Sequence, residues 1–282
     1  MTRCGALPSR DDATRKLRSG SREPLLRVEG LSVQFPVKQG LLRRTVGQVR
    51  ALDNVDLRVL RGQTLAVVGE SGAGKTTLAQ RIAGLAPANA GKVLFEGKDL
   101  FKLGKAERRL ALQQIVLVTP ETFARPEALT ALVALEPKLL IFDEAFEAFD
   151  AAARQQVAVE LRRLQDERAL SCLLLTRSLE LAGVLSDEVL VLHAGQIVEA
   201  GATASLVQHP RHPYTQSQLS APTAATPVQP PAAGSPGHAE GCLFRAHCPH
   251  AFARCAVEAP ALFAVPGGLS RCWLHDPEAA GG

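Results

Sequence analysis

One glycine-rich stretch of the chain carries the residue types that a phosphate-binding loop needs. Gly69, Gly74, Lys75 and Thr76 fit the pattern G-x-x-x-x-G-K-[ST], between a predicted strand and a predicted helix. Such glycines allow backbone N–H groups to point at phosphate oxygens, and the helix N-terminus adds partial positive charge. Lys75 would reach the outer phosphates, and the hydroxyl of Thr76 would bind Mg²⁺. The residues predicted to bind here are Gly69, Ser71, Gly72, Gly74, Lys75, Thr76 and Thr77.

A second chemical signal lies where an apolar run ends in two carboxylates. Residues 139–142 are apolar, and Asp143 and Glu144 follow them directly. At the end of a buried strand, Asp143 can hold the Mg²⁺ shell while Glu144 polarises an attacking water. An acidic strand end is weak evidence alone. Downstream of a phosphate loop it indicates a nucleotide-hydrolysing site, and it weighs against a chance glycine-rich turn.

Four of the six cysteines lie in the last 41 residues. They are Cys242, Cys248, Cys255 and Cys272. Four thiolates suit tetrahedral Zn²⁺ or an iron–sulfur cluster. Because there is no C-x-x-C pair, the spacing weighs against a zinc ribbon. Reduced structural cysteines are the third interpretation, and the alternative ligands are His247, His250 and His275.

Alternating strands and helices are predicted to position these groups. Apolar runs and period-two patterns predict strands over 25–35, 49–60, 64–68, 93–95, 115–118, 139–142, 171–175 and 188–193. Helices are predicted over 75–85, 106–114, 126–135 and, capped by Asp150, to about residue 167, with a short helix before the last strand. This order predicts an α/β fold with a mostly parallel sheet covered on both faces.

Composition divides the 282 residues into four parts. Residues 1–24 form a basic leader, which we interpret as a disordered tail, the alternative being contact with anionic lipid or nucleic acid. Residues 25–208 form the α/β domain, and residues 209–240 contain a Pro/Ala-rich linker over 221–240. Residues 241–282 form a small Cys-rich module. No apolar run reaches the ~18 residues of a membrane span, and no secretory signal is visible, so we expect a cytoplasmic protein with reduced thiols.

Several segments together resemble the ABC transporter ATPases. They are residues 69–77, the run 136–144 and the helix that Asp150 begins. Residues 35–43, 68–72, the His-Pro-Tyr-Thr segment 212–215 and the segments 241–245 and 271–272 resemble the ATP-binding subunits of oligopeptide/dipeptide permeases. The resemblance covers about 25–118 and 129–275.

This resemblance implies a P-loop NTPase core with an antiparallel N-terminal β portion, which binds ATP and Mg²⁺. It implies transmembrane permease subunits and a second ATP-binding subunit as partners, no nucleic acid, and a peripheral location on the inner face of the plasma membrane. Phe35 would stack on adenine, the alternative being an ordinary core residue. The four cysteines would hold a [4Fe–4S] cluster.

The departures from that family are as specific as the matches. Only 68 positions separate Lys75 from Asp143, and the chain contains no Ser-Gly-Gly, so the family's helical subdomain and signature motif are expected to be largely deleted. Val118 replaces the lid glutamine, and Arg177 replaces the switch histidine. Glu147 begins the segment that reads Ser-Ala-Leu-Asp in the family. These losses predict that ATP is bound, that turnover is weak and that coupling to transport is doubtful.

Two functions remain open at this point. The first is an ATP-binding subunit of a peptide importer, impaired by an internal deletion. The second is a non-hydrolysing regulatory or structural subunit that binds nucleotide. An unrelated P-loop kinase or GTPase is disfavoured, because the chain has no Asn-Lys-x-Asp motif and its tail resembles that of the permeases.

Overall fold

The computed structural model describes residues 23–39, 44–147, 149–220 and 241–278. All but the last two residues of the predicted leader, and the whole of the predicted linker 221–240, lie outside the described residues. In the part of the chain that is described, no helix combines the length and the apolar composition that crossing a bilayer requires.

An eight-stranded sheet forms the centre of the fold. Its five parallel strands are β3 (Thr64–Val68), β6 (Ile115–Val118), β7 (Leu139–Asp143), β8 (Ser171–Thr176) and β9 (Glu188–His193). The antiparallel strands β10 (Gln196–Ala202), β11 (Phe263–Val265) and β12 (Gly268–Ser270) extend it on one side, in the order β11-β12-β10-β9-β3-β8-β7-β6. The parallel strands are short, apolar runs, as expected for strands buried on both faces.

A smaller antiparallel sheet is made from the N-terminal part of the chain. Its strands are β1 (Leu26–Gln39), β2 (Arg44–Val59), β4 (Ala90–Phe95) and β5 (Lys98–Asp99), in the order β2-β1-β4-β5. Leu31, Leu52 and Val93 of this sheet share one buried core with Val67 of β3 and Leu78. The predicted mostly parallel sheet and antiparallel N-terminal portion are both confirmed.

Eight α-helices connect the strands of the described residues. They are α1 (Lys75–Ile82), α2 (Lys105–Leu112), α3 (Ala128–Val133), α4 (Ala151–Arg168), α5 (Leu179–Leu185), α6 (Thr203–Gln208), α7 (Pro213–Ser220) and α8 (Ala253–Val257). The carboxylate of Asp150 caps α4 as predicted, accepting a hydrogen bond from the Ala153 N–H at 2.8 Å. Helix α1 ends at Ile82 rather than at residue 85, because Gly84 adopts φ +71.

The connection between β6 and β7 is short and well packed. Residues 119–138 contain one helix, α3, where the family resemblance implies a whole helical subdomain. The fully buried ring of Phe123 lies 5.5 Å from the rings of Phe142 and Phe146 and 5.1 Å from that of Phe149. This aromatic cluster closes the core where the subdomain is missing.

The C-terminal part of the chain packs on the main sheet. Strand β12 pairs with β10, placing Ser270 opposite Glu199, and the ring of Phe244 joins the core that contains Val68 and Phe142. The strands β10, β11 and β12 and the helices α6, α7 and α8 were not predicted. The domain boundaries at 208 and 240 stay predictions.

Candidate nucleotide-binding site

The loop between β3 and α1 has a backbone that requires glycine at its two ends. Gly74 adopts φ +111, and a Cβ there would lie 2.4 Å from the carbonyl oxygen of Ala51. A Cβ on Gly69 would lie 2.3 Å from the carbonyl oxygen of Leu192. Because no side chain fits at either position, the close approach of the loop to β2 and β9 depends on these glycines.

The ammonium group of Lys75 is folded back onto the loop. Its Nζ donates to the carbonyl oxygens of Gly69 at 2.6 Å and Glu70 at 2.8 Å, and it pairs with Oε1 of Glu144 at 3.0 Å. The side chain of Lys75 is only 3% exposed. An ammonium has three N–H donors, and in this arrangement each of them has an acceptor.

Thr76 and Asp143 bring two oxygen donors together. Thr76 Oγ1 lies in the first turn of α1 and donates to Asp143 Oδ1 at 3.3 Å, at the end of β7. Burial raises the pKa of Asp143, and the hydrogen bond from Thr76 and the charge of Lys75 act in the opposite direction. Hydroxyl and carboxylate oxygens are the ligands that Mg²⁺ prefers, so this donor pair fits that ion.

Glu144 lies between two cations in a strained backbone conformation. Its φ is +52, a region that a non-glycine residue seldom occupies and that is enriched at functional sites. The Glu144 N–H donates to the Leu175 carbonyl of β8 at 2.9 Å. One carboxylate oxygen pairs with Lys75, and the other lies 3.6 Å from Nη2 of Arg177.

The two departures at 147 and 177 contact each other. Arg177 Nε donates to Oε1 of Glu147 at 2.8 Å, and Arg177 Nη2 contacts the second oxygen of the same carboxylate. This pairing raises the pKa of Arg177. The fork geometry of a guanidinium on a carboxylate holds Arg177 beside Glu144.

The other predicted loop residues lie at the surface of the site. Ser71, Gly72 and Thr76 are exposed, and Thr77 is half-buried. Gly72 adopts φ +82, and a Cβ on it would meet no atom within 4 Å, so the need for glycine there comes from backbone conformation alone. The structure therefore brings together the loop, Asp143 and Glu144.

Phe35 lies on β1, next to helix α1. Its side chain is 44% exposed, and the guanidinium carbon of Arg81 on α1 lies 5.7 Å from the ring centroid. Such exposure does not fit the alternative of an ordinary core residue. Adenine stacking at Phe35 stays a prediction.

Helix α7 supplies two contacts to the loop that sequence reasoning missed. The Glu70 N–H donates to the hydroxyl oxygen of Tyr214 at 3.3 Å. The side-chain amide of Gln218 donates to Oε1 of Glu70 at 2.7 Å. The His-Pro-Tyr-Thr segment pointed to a family but gave no sign of this contact.

One small cavity, of about 10 Å³, has the four C-terminal cysteines among the residues that line it. Cys242, Cys248, Cys255 and Cys272 all line it, together with Phe244. Burial raises the pKa of Cys272 to about 11, and the neighbouring thiols add to this effect. Among the described residues, no group of three or more His, Cys, Asp or Glu side chains is arranged to hold a metal ion.

Comparison with known proteins gives two matching families. Residues 52–130 match the family described as ABC transporter, and residues 198–255 match the oligopeptide/dipeptide transporter C-terminal region. The protein y4tS of Sinorhizobium fredii, named as a probable peptide ABC transporter ATP-binding protein, is 30% identical over 92% of this chain and 92% of its own length. The dipeptide transport ATP-binding protein DppF of Escherichia coli is 28% identical, over 91% of this chain and 96% of its own.

The alignment with y4tS extends over 328 residues, more than the 282 of this chain. It therefore contains gaps opposite residues that y4tS has and this chain lacks. Among solved structures, the fold is similar to the dimeric, post-hydrolysis ATP-binding cassette MJ0796 bound to ADP and Pi. The TM-score is 0.54 at 16% identity, covering 63% of this chain and 98% of that one.

Proposed function

The chain belongs to the ATP-binding proteins of ABC transporters of the oligopeptide/dipeptide type, and we propose that it binds Mg-ATP as a subunit of a peptide importer but hydrolyses it weakly. The observation that carries the proposal is the convergence of Lys75, Thr76 and Asp143 at one end of the parallel sheet. Ligands of open parallel sheets bind at the carboxyl ends of the strands, which is where β3 and β7 deliver these residues.

Binding follows from the groups present. Lys75 would exchange its contact with Glu144 for phosphate oxygens, and the loop amides at the N-terminus of α1 would donate to the same anion. Thr76 and Asp143 would hold Mg²⁺, whose charge offsets that of the phosphates.

Weak turnover follows from what surrounds Glu144. Arg177, which Glu147 holds in place, lies 3.6 Å from its carboxylate and stays beside it after Lys75 turns to the phosphates, and this favours a carboxylate paired with Arg177 over one that polarises a water. The position of the lid glutamine is held by Val118, a fully buried apolar side chain. Phosphoryl transfer depends on positioning and charge stabilisation, and both are reduced here.

Because the signature is missing, this chain and its partner would contribute unequally to the two ATP sites of a dimer. A chain without that motif cannot complete its partner's site, but it can offer its own loop to an intact second ATP-binding subunit. MJ0796, which shares the fold, is described as dimeric. We propose a heterodimer of this kind, peripheral on the inner face of the plasma membrane through transmembrane permease subunits. The missing subdomain is the part that would seat them, so coupling should be poor.

ATP binding is tested with labelled ATP and the variant Lys75→Ala. Lys92→Ala is a matched control, because Lys92 lies on β4 and pairs with Glu29 at 3.4 Å. We expect Lys75→Ala to lose most of the affinity and Lys92→Ala to keep it. Equal affinity of wild type and Lys75→Ala would remove the case for a working phosphate loop.

Turnover is tested by the ATPase rate with and without a full-length partner ATPase. We expect a low rate alone. Steady turnover that Glu144→Gln abolishes would show that hydrolysis has survived. Rescue by the partner favours the importer subunit, and no rescue favours the second candidate, a non-hydrolysing regulatory subunit. The Arg177–Glu147 pair favours this second candidate, because it fixes a cation where the family switches with a histidine.

We propose separately that the four C-terminal thiols hold a [4Fe–4S] cluster. The supporting observation is that all four line one cavity. Among the described residues no group of three or more His, Cys, Asp or Glu side chains is arranged to hold a metal ion, so the cluster would require these thiols to rearrange. Anaerobically purified protein should be brown with a broad band near 400 nm, and colourless, iron-free protein would end the proposal.

A further inference from the structure

Helix α7 is anchored on the core of the domain by Tyr214. Its Tyr214 side chain is fully buried, with the ring 4.3 Å from that of His193 and 5.5 Å from that of Phe244. Before the helix, the His212 N–H donates to a carboxylate oxygen of Glu199 on β10 at 2.9 Å. His212 Nδ1 then accepts from the Tyr214 N–H at 3.0 Å, as at a capped helix start.

Helix α7 forms two hydrogen bonds with Glu70 of the phosphate loop. The hydroxyl of Tyr214 accepts from the Glu70 main chain, and Gln218 donates to the Glu70 side chain. Both the backbone and the carboxylate of Glu70 are thereby fixed from the same side.

Glu70 is in turn one of the groups that hold Lys75. The carbonyl oxygen of Glu70 accepts from Lys75 Nζ at 2.8 Å and from the Ala73 N–H at 3.1 Å. A shift of Glu70 would therefore move an acceptor of the phosphate-binding ammonium and the turn that precedes α1.

We propose that Tyr214 and Gln218 are positioning residues for nucleotide binding, which set the conformation of the phosphate loop by bracing Glu70. The inference rests on the proposed ATP binding and extends it to a segment that lies 144 residues after Glu70 in the chain. Each side chain acts through its hydrogen bond with Glu70. The C-terminal region thus belongs to the nucleotide site.

The test compares two glutamines of the same helix. Gln218→Ala removes the contact with Glu70, whereas Gln216→Ala removes a hydrogen bond to the Pro210 carbonyl at 3.0 Å. Tyr214→Phe keeps the buried ring and removes only the hydroxyl. A hydrogen bond contributes about 0.5–1.5 kcal/mol, so Gln218→Ala and Tyr214→Phe should each weaken ATP binding by about 2- to 10-fold. Gln216→Ala should bind as wild type.

Exchanging the side chains of Glu70 and Gln218 separates a positioning role from a purely structural one, because a structural role predicts no recovery of ATP affinity in the double variant. Gln218→Glu places a second carboxylate against Glu70 and should weaken ATP binding by about 10-fold or more, because like charges at hydrogen-bond distance repel. Adding Glu70→Gln restores the bond with donor and acceptor reversed, and affinity should return to within about 3-fold of wild type. Thermal melts confirm that each variant is folded.

Two results would contradict the proposal, and they can be told apart. In the first, wild type binds ATP and Lys75→Ala does not, but Tyr214→Phe and Gln218→Ala bind like wild type, or the double variant binds no better than Gln218→Glu. This result would refute the positioning role of Tyr214 and Gln218 and leave the proposed ATP binding standing. In the second, wild type and Lys75→Ala bind ATP equally poorly. This result would refute both the positioning role and the proposed function.

Discussion

Glu144→Gln should tighten ATP binding, which is the opposite of what a loss of a favourable contact usually does. The reason is that Lys75 has no spare donor: its three N–H groups are directed at Gly69, Glu70 and Glu144. A phosphate oxygen must displace one of these acceptors. The carboxylate of Glu144 is the one that carries a charge and competes directly with an anion.

The size of the effect can be worked from the geometry. A hydrogen bond between charged groups contributes about 1.5–3 kcal/mol, and the 3.0 Å pair is expected near the lower value because Glu144 is 27% exposed and screened by solvent. A neutral amide at this position still accepts from Lys75, at about 0.5 kcal/mol. The difference, about 1 kcal/mol, corresponds to an affinity about fivefold higher.

The assay is equilibrium titration with a non-hydrolysable ATP analogue, so that residual turnover does not enter the measurement. Glu160→Gln is the control, because Glu160 is an exposed carboxylate of α4 that pairs with Arg163. We expect the control to bind as wild type. An unchanged or weaker affinity of Glu144→Gln would refute the competition between Glu144 and phosphate for Lys75.

Other expectations concern stability. Phe123→Ala should lower the free energy of unfolding by about 3–5 kcal/mol, because it empties a fully buried ring site, whereas Phe252→Ala removes an exposed ring and should cost less than about 1 kcal/mol in urea unfolding. Asp150→Ala should cost about 1 kcal/mol by loss of the α4 cap, seen as a lower melting temperature. Burial lowers the pKa of His193 to about 4 and of His212 to about 3, so the unfolded chain binds protons first. Stability should therefore be full above about pH 6.5 and fall as the pH drops toward 4, and equal urea midpoints at pH 7.5 and 5 would contradict this.

Local patterns predicted the parts of the site that depend on few neighbours. The phosphate loop and the acidic end of β7 are contiguous motifs whose function requires a strand on one side. Strands Thr64–Val68, Ile115–Val118 and Glu188–His193 were predicted with the bounds that the structure has. Each is an apolar run whose ends are marked by glycine or polar residues, which is enough to place it without tertiary information.

Contacts between distant segments could not be predicted in this way. The sequence drew attention to Arg177 and Glu147 as separate departures from a family pattern, but their pairing across 30 residues depends on how the β7 and β8 ends meet. Helix α7 was missed because its burial comes from His193 and Phe244, which lie far from it along the chain. Tertiary packing, not local propensity, makes that helix.

Under the proposed function, the position of the missing subdomain explains why this chain would bind nucleotide and yet turn it over weakly. The predicted phosphate and Mg²⁺ ligands lie on α1 and at the ends of β3 and β7, and none of them lies in the shortened connection 119–138. The buried ring of Phe123 closes that connection over Phe142 and Phe146, so β7 keeps its place next to β8. A phosphate loop needs only this local frame, because its amides and Lys75 are all supplied in cis. Completing a partner's site needs a signature, which is expected on the deleted part, so under the proposed function the deletion spares nucleotide binding and removes this chain's contribution to turnover in its partner.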